Sequence, residues 1–126
     1  MAWFATAPLA GGLLLAVRTL DKTQWAPFFD AASNSAVGKR AEIEVALLAL
    51  GSQIEAEWAP LQGIIYDAQS DIIKIVLGDQ LDHLIHTPQE VYVDDNPVGL
   101  SSVLITDSDG TEHIIKLRDP LVLPSA

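Results

Sequence analysis

The chain has 126 residues, with 7 Lys+Arg against 17 Asp+Glu for a net charge of −10, 49% hydrophobic residues and no cysteine. That length and apolar fraction describe one globular domain, and the lack of cysteine excludes disulfide scaffolds, thiol nucleophiles and thiolate zinc sites. The acidic balance repels phosphate backbones, and apart from Lys39-Arg40 the basic residues are scattered, so no nucleic acid is an expected partner and a membrane is a poor one.

Met1 to Val17 carries no charged side chain and includes Leu13-Leu14-Leu15. A secretory signal places basic residues ahead of its apolar region, whereas the first basic side chain here is Arg18. A bilayer span needs about 20 apolar residues, and this stretch is shorter and broken by Pro8 and Gly11-Gly12. Residues 1–18 are therefore read as an apolar N-terminal extension, followed by a single α+β domain over residues 19–120 and a C-terminal tail over residues 121–126. Cytoplasmic residence is the expectation, with secretion or anchoring through residues 1–17 as the alternative.

Trp25, Phe28, Phe29 and Ala32 recur at helical spacing and share one face. Asp21 followed by Gln24 has the spacing of a capping box, and Thr23 is an alternative cap. Pro27 lacks an N–H and belongs in the first turn. The helix is expected to end near Ser33-Asn34, with Gly38 in the loop beyond.

From Glu42 the period changes to two. Ile43, Val45, Leu47 and Ala49 alternate with Glu42, Glu44, Ala46 and Leu48; Gly51-Ser52 turns the chain into Ile54, Ala56 and Trp58 alternating with Gln53, Glu55 and Glu57. Pro60 and Gly63 interrupt this second strand, which resumes at Ile64-Ile65-Tyr66. Asp71 to Leu77 reads as a central strand buried on most of both faces. Leu81 to Thr87, Glu90 to Asp94, and a final hairpin of Ser102 to Thr106 with Thr111 to Arg118 follow, the hairpin closed by Asp107-Ser108-Asp109-Gly110. The pattern predicts an α+β fold: one N-terminal helix packed on a strongly curved antiparallel sheet or small β-barrel of about six strands.

The order of Asp21-Lys22-Thr23-Gln24-Trp25-Ala26-Pro27-Phe28-Phe29-Asp30, Leu61-Gln62-Gly63-Ile64, Ile73-Lys74-Ile75-Val76-Leu77-Gly78, His83-Leu84-Ile85-His86 and Asp109-Gly110-Thr111 resembles the small bacterial family known as domain of unknown function 5335. The likeness runs from about Arg18 to Pro120. It implies a stand-alone bacterial domain beginning close to Arg18, and it implies no particular activity.

His83 and His86 with Asp82, joined by His113 from the last hairpin, are the candidate metal ligands, since imidazole and carboxylate bind Zn or Fe where thiols are lacking. On a regular strand, residues 83 and 86 point to opposite faces, so both grip one ion only at a bulge or turn. Glu42, Glu44, Glu55 and Glu57 are expected on the outer face of one hairpin, an acidic surface suited to a basic protein partner. No catalytic residue is assigned: there is no G-x-S-x-G, no Ser paired with His and an acid, and no glycine-rich phosphate loop. The expected function is a non-enzymatic protein-binding or self-assembly module without a cofactor, working as a homo-oligomer or with another protein. The alternative is a small metal-dependent or acid–base enzyme centred on His83 and His86.

Overall fold

A computed structural model describes residues 17–36, 38–47, 51–78 and 82–123. The expected apolar extension, and with it the alternative of a signal or anchor, thus lies almost wholly outside the described residues. Val17 and Arg18, assigned above to the extension, open strand β1 (Val17–Leu20), which pairs with β6 (Pro88–Asn96) through Arg18 opposite Val93 and Leu20 opposite Val91.

A 3-10 turn over Lys22–Gln24 leads into the helix α1 (Trp25–Asn34). No side chain caps this entry: the Asp21 carboxylate accepts the Thr23 hydroxyl at 2.6 Å, and the Gln24 N–H bonds the Asp21 carbonyl at 2.8 Å instead. Pro27 sits in the first turn of α1, where its missing N–H leaves no bond unmade. Trp25, Phe29 and Ala32 are buried, while Phe28 lies at the margin with the Arg18 guanidinium 5.8 Å above its ring. The Trp25 indole donates to the Leu20 carbonyl at 3.1 Å and meets Tyr66 edge-on at 5.1 Å, so its one polar atom is satisfied in the core.

Seven further strands complete the sheet: β2 (Arg40–Leu47), β3 (Gly51–Asp67), β4 (Ile72–Leu77), β5 (Asp82–His86), β6, β7 (Gly99–Asp107) and β8 (Glu112–Leu121). All pairings are antiparallel, in the order β1-β6-β7-β8-β2-β3-β4-β5. The expectation of about six strands is corrected to eight among the described residues. The strand least visible to periodicity is β1, whose four residues bury only Leu20.

The interruption expected at Pro60 and Gly63 is a bend within one 17-residue strand. Trp58 adopts φ +47° and the register slips between Leu61 and Gly63, so residues 51–60 pair with β2 and residues 61–67 with β4. Gly51, expected in the turn, is already opposite Leu47. At the other bend only Thr87 separates β5 from β6, although these strands stand near opposite ends of the sheet order. The sheet must therefore curl until its ends approach, forming a half-barrel. Thr87 holds the corner: its N–H reaches the Asp71 carbonyl at 2.9 Å and its carbonyl accepts the Ser108 N–H at 3.0 Å.

The concave side holds the core, with Ile43, Ile64, Ile73, Ile75, Ile85, Ile105 and Ile115 at 0–1% exposure against Trp25 and Phe29 of α1. The Ser33 hydroxyl docks the helix by accepting from the Ile64 N–H at 2.8 Å and donating to the Ile64 carbonyl at 2.9 Å. Gly63 leaves room for that approach: a Cβ there would lie 3.1 Å from the Ser33 Oγ, tighter than ordinary contact.

Candidate functional site

Curling brings β5 across to β8. His83 Nε2 lies 2.9 Å from His113 Nδ1, and His113 Nε2 lies 2.9 Å from Asp107 Oδ2. The Asp107 carboxylate accepts only, so His113 carries its proton on Nε2 and its Nδ1 accepts from the Nε2–H of His83. This assignment leaves the Nδ1 of His83 as the basic end of a three-residue chain. Asp107 is itself fixed, its Oδ1 accepting the backbone N–H groups of Asp109 at 2.9 Å and Thr111 at 3.1 Å.

Burial opposes ionisation of Asp107, yet the hydrogen bonds from His113, Thr111 and Asp109 hold its carboxyl below the ordinary value. Burial pushes His83 down from the ordinary imidazole value and the neighbouring His113 adds to this, against a pull from Glu55. Both effects favour the neutral form of His83, while the buried His113, at 7% exposure, has both ring nitrogens hydrogen-bonded.

Of the proposed ligand set, the fold brings together His83 and His113 and leaves Asp82 and His86 apart from them. On β5, His83 and Ile85 turn inward while Asp82, Leu84 and His86 are exposed, the alternation of a regular strand. Among the described residues, no group of three or more His, Asp or Glu side chains is arranged to hold a metal ion. Asp107 is the residue that reading of the turn missed as a partner for His113. The hairpin register carries the signal: Ile105 faces His113, and Asp107 lies two residues further on the same face, within diagonal reach.

The four glutamates do not act as one patch. Glu42 and Glu44 flank Lys116 of β8, with its Nζ at 3.8 and 3.3 Å. A hydrogen bond from Ser52, then one from Lys116, holds the Glu44 carboxyl below its ordinary value. Register shifts on either side of Ile43 displace Glu55 and Glu57 from that pair, and Glu55 lies in electrostatic reach of His83.

A different surface stands out on the convex side. Ile65 of β3 pairs with Lys74 of β4, which pairs with Leu84 of β5, forming one row across three strands. Ile65 is 46% and Leu84 44% exposed. With Ile72 and Asp82 they line a groove of about 520 Å³. Among the described residues β5 pairs only with β4, so it is an edge strand.

Among the described residues the architecture defines a class: a single α-helix laid in a curled, eight-stranded antiparallel half-barrel. The chain belongs to the family described as Family of unknown function (DUF5335), matched over residues 16–126. It is similar to an "Uncharacterized protein" of Aquifex aeolicus (strain VF5), with 31% identity over 110 residues covering 87% of this chain and 99% of that one. No solved structure matches it. Among the described residues, no helix is long and apolar enough to cross a membrane.

Proposed function

We propose that this chain is a non-enzymatic protein-binding or self-assembly module of the cytoplasm, and that it makes contact through the convex face of β3, β4 and β5. One observation supports this reading: the row of Ile65, Lys74 and Leu84 on a sheet face beside an unpaired edge. A rigid sheet presents these side chains with little ordering left to do on contact. Covering the exposed half of each of the two apolar side chains contributes about 1 kcal/mol apiece. The test is a photo-crosslinking amino acid in place of Ile65 in the producing cell, with Val122, 74% exposed and outside this face, as the control. Discrete protein adducts at position 65 that are lost on Leu84→Asp are expected; none at position 65, or equal adducts at both positions, overturns the reading.

A second reading, a small acid–base or metal-dependent site, is supported by the chain from Asp107 through His113 to His83. A carboxylate behind an imidazole orients it and raises its basicity, the arrangement found behind metal-bound and general-base histidines. Equilibrium dialysis against Zn²⁺ tests the metal form: uptake lost on His83→Ala and on His113→Ala supports it, and no uptake removes it.

A further inference from the structure

We infer that this chain also pairs with a second copy of itself at the edge beside the β3–β4–β5 face, by antiparallel pairing of the two β5 strands about a two-fold axis at Leu84; this rests on the self-assembly part of the reading above. The carrying observation is the internal symmetry of β5, Asp82-His83-Leu84-Ile85-His86. Residues opposite one another in an antiparallel pair lie on the same side of the sheet, and a two-fold axis normal to the sheet fixes the sum of their numbers. With the axis at Leu84, Leu84 meets its own counterpart, and Asp82 of each copy faces His86 of the other. An exposed acid thereby meets an exposed base twice, and an exposed leucine meets a leucine.

Neighbouring registers lack this match. An axis at His83 opposes two imidazoles that His113 already engages and sets Asp82 against Leu84; an axis at Ile85 sets Leu84 against His86. A slip by one residue puts inward side chains opposite outward ones. Only the register centred on Leu84 sets carboxylate opposite imidazole and leucine opposite leucine.

The pairing also extends what each copy already carries. The row of Ile65, Lys74 and Leu84 becomes six residues long, running Ile65-Lys74-Leu84 and then Leu84-Lys74-Ile65 of the second copy. The flanking row of Asp67, Ile72 and His86 continues into Asp82, Val76 and Gly63 of the second copy. The strand lacks several of the usual protections of a free edge: β5 has no proline, no lysine and no bulge, and it pairs regularly with β4 through all five residues. Each copy has a net charge of −10, so the two copies repel at long range, and the local acid–base match supplies the complement that general electrostatics withholds. Salt screens the repulsion beyond a distance of about 10 Å at 0.1 M.

Sedimentation velocity on the full chain, at moderate salt and over a micromolar concentration series, tests this with four proteins: the wild type, Asp82→Lys, His86→Asp, and both changes together. Each single change places mismatched groups opposite one another at two symmetric positions. Asp82→Lys and His86→Asp should each weaken dimerisation by about tenfold or more, and the double swap, which sets lysine opposite aspartate, should recover it. Recovery in the double variant also shows that the single variants failed at the interface and not in folding. A monomeric wild type, a dimer indifferent to all three variants, or growth beyond a dimer through the other edge at β1 each overturns the inference. Adducts from position 65 to another protein, alongside a monomeric purified chain, would overturn self-pairing and leave the protein-binding reading standing.

Discussion

Asp107 Oδ2 lies 2.9 Å from His113 Nε2, and that contact sets the tautomer of a second imidazole that Asp107 does not bond. A carboxylate accepts a proton, so His113 is left with Nδ1 to accept one in turn, and His83 must donate. Asp107→Asn keeps an acceptor oxygen for the turn and presents an amide donor to His113. Both imidazoles should then exchange tautomers, His83 carrying its proton on Nδ1. Long-range proton–nitrogen NMR of the two rings reads this directly, and unchanged ring-nitrogen shifts would refute the assignment. Asp107→Ala, which offers neither group, should destabilise the fold by about 2 kcal/mol.

Stability should fall as the solution is acidified through the imidazole range. His83 is held below its ordinary value of 6.5 in the folded protein, chiefly by burial. Its neutral form is therefore favoured by folding, a contribution fully present above the unfolded value and lost as pH falls through the folded one. Asp107, also held low, adds a second loss at more acid pH. Thermal melts of the wild type and His83→Gln as a function of pH check this. The variant should be less stable by about 1 kcal/mol near pH 8 and should show a flatter decline below about pH 6.5.

Ser33 and Gly63 should behave as a coupled pair. Ser33→Ala leaves the Ile64 N–H and carbonyl without their part-buried partner and should cost about 1–3 kcal/mol. Gly63→Ala presses a methyl group to 3.1 Å from the Ser33 Oγ. In a Ser33→Ala background the nearest contact is gone, so the second change should cost less than it does alone. A double-mutant cycle from denaturant unfolding measures the difference; strict additivity would contradict the contact.

Thr87 is strained at its corner. A β-branched residue at φ +50° pays about 1–2 kcal/mol for the left-handed conformation. Thr87→Gly relieves this and loses about 0.5–1 kcal/mol to the greater freedom of the unfolded chain. The net expectation is a small rise in melting temperature. Gly99→Ala should do the opposite and strongly, since Gly99 has φ +139° and a Cβ there would lie 2.5 Å from the Leu121 carbonyl oxygen.

The helix was legible because its signals are local. Trp25, Phe29 and Ala32 repeat at helical spacing, and Pro27 marks the first turn. The strands showed in their period of two, but the shifts around Ile43 did not, because an extra residue in a ladder leaves no mark in a sequence that remains extended. Those shifts are why an acidic face of four glutamates became a pair around Lys116. The meeting of His83 and His113 was beyond linear spacing for a different reason. Their strands are neighbours neither in the chain nor in the sheet, and only the curl of β3 and the corner at Thr87 bring them into reach.

The place of β2 in the sheet has a consequence for synthesis. It lies between β3, which follows it in the chain, and β8, the last of the described strands, with Ala41 opposite Leu117. A chain emerging from the ribosome can close the hairpin of β2 and β3 early, but the other side of β2 waits for the C-terminal strand. Until then Ile43 and the rest of the concave face have no far wall, and this pairing, like that of β1 with β6, joins segments far apart in the chain. Truncation within β8 would therefore leave a nascent chain holding an open apolar trough in place of a slightly shortened protein.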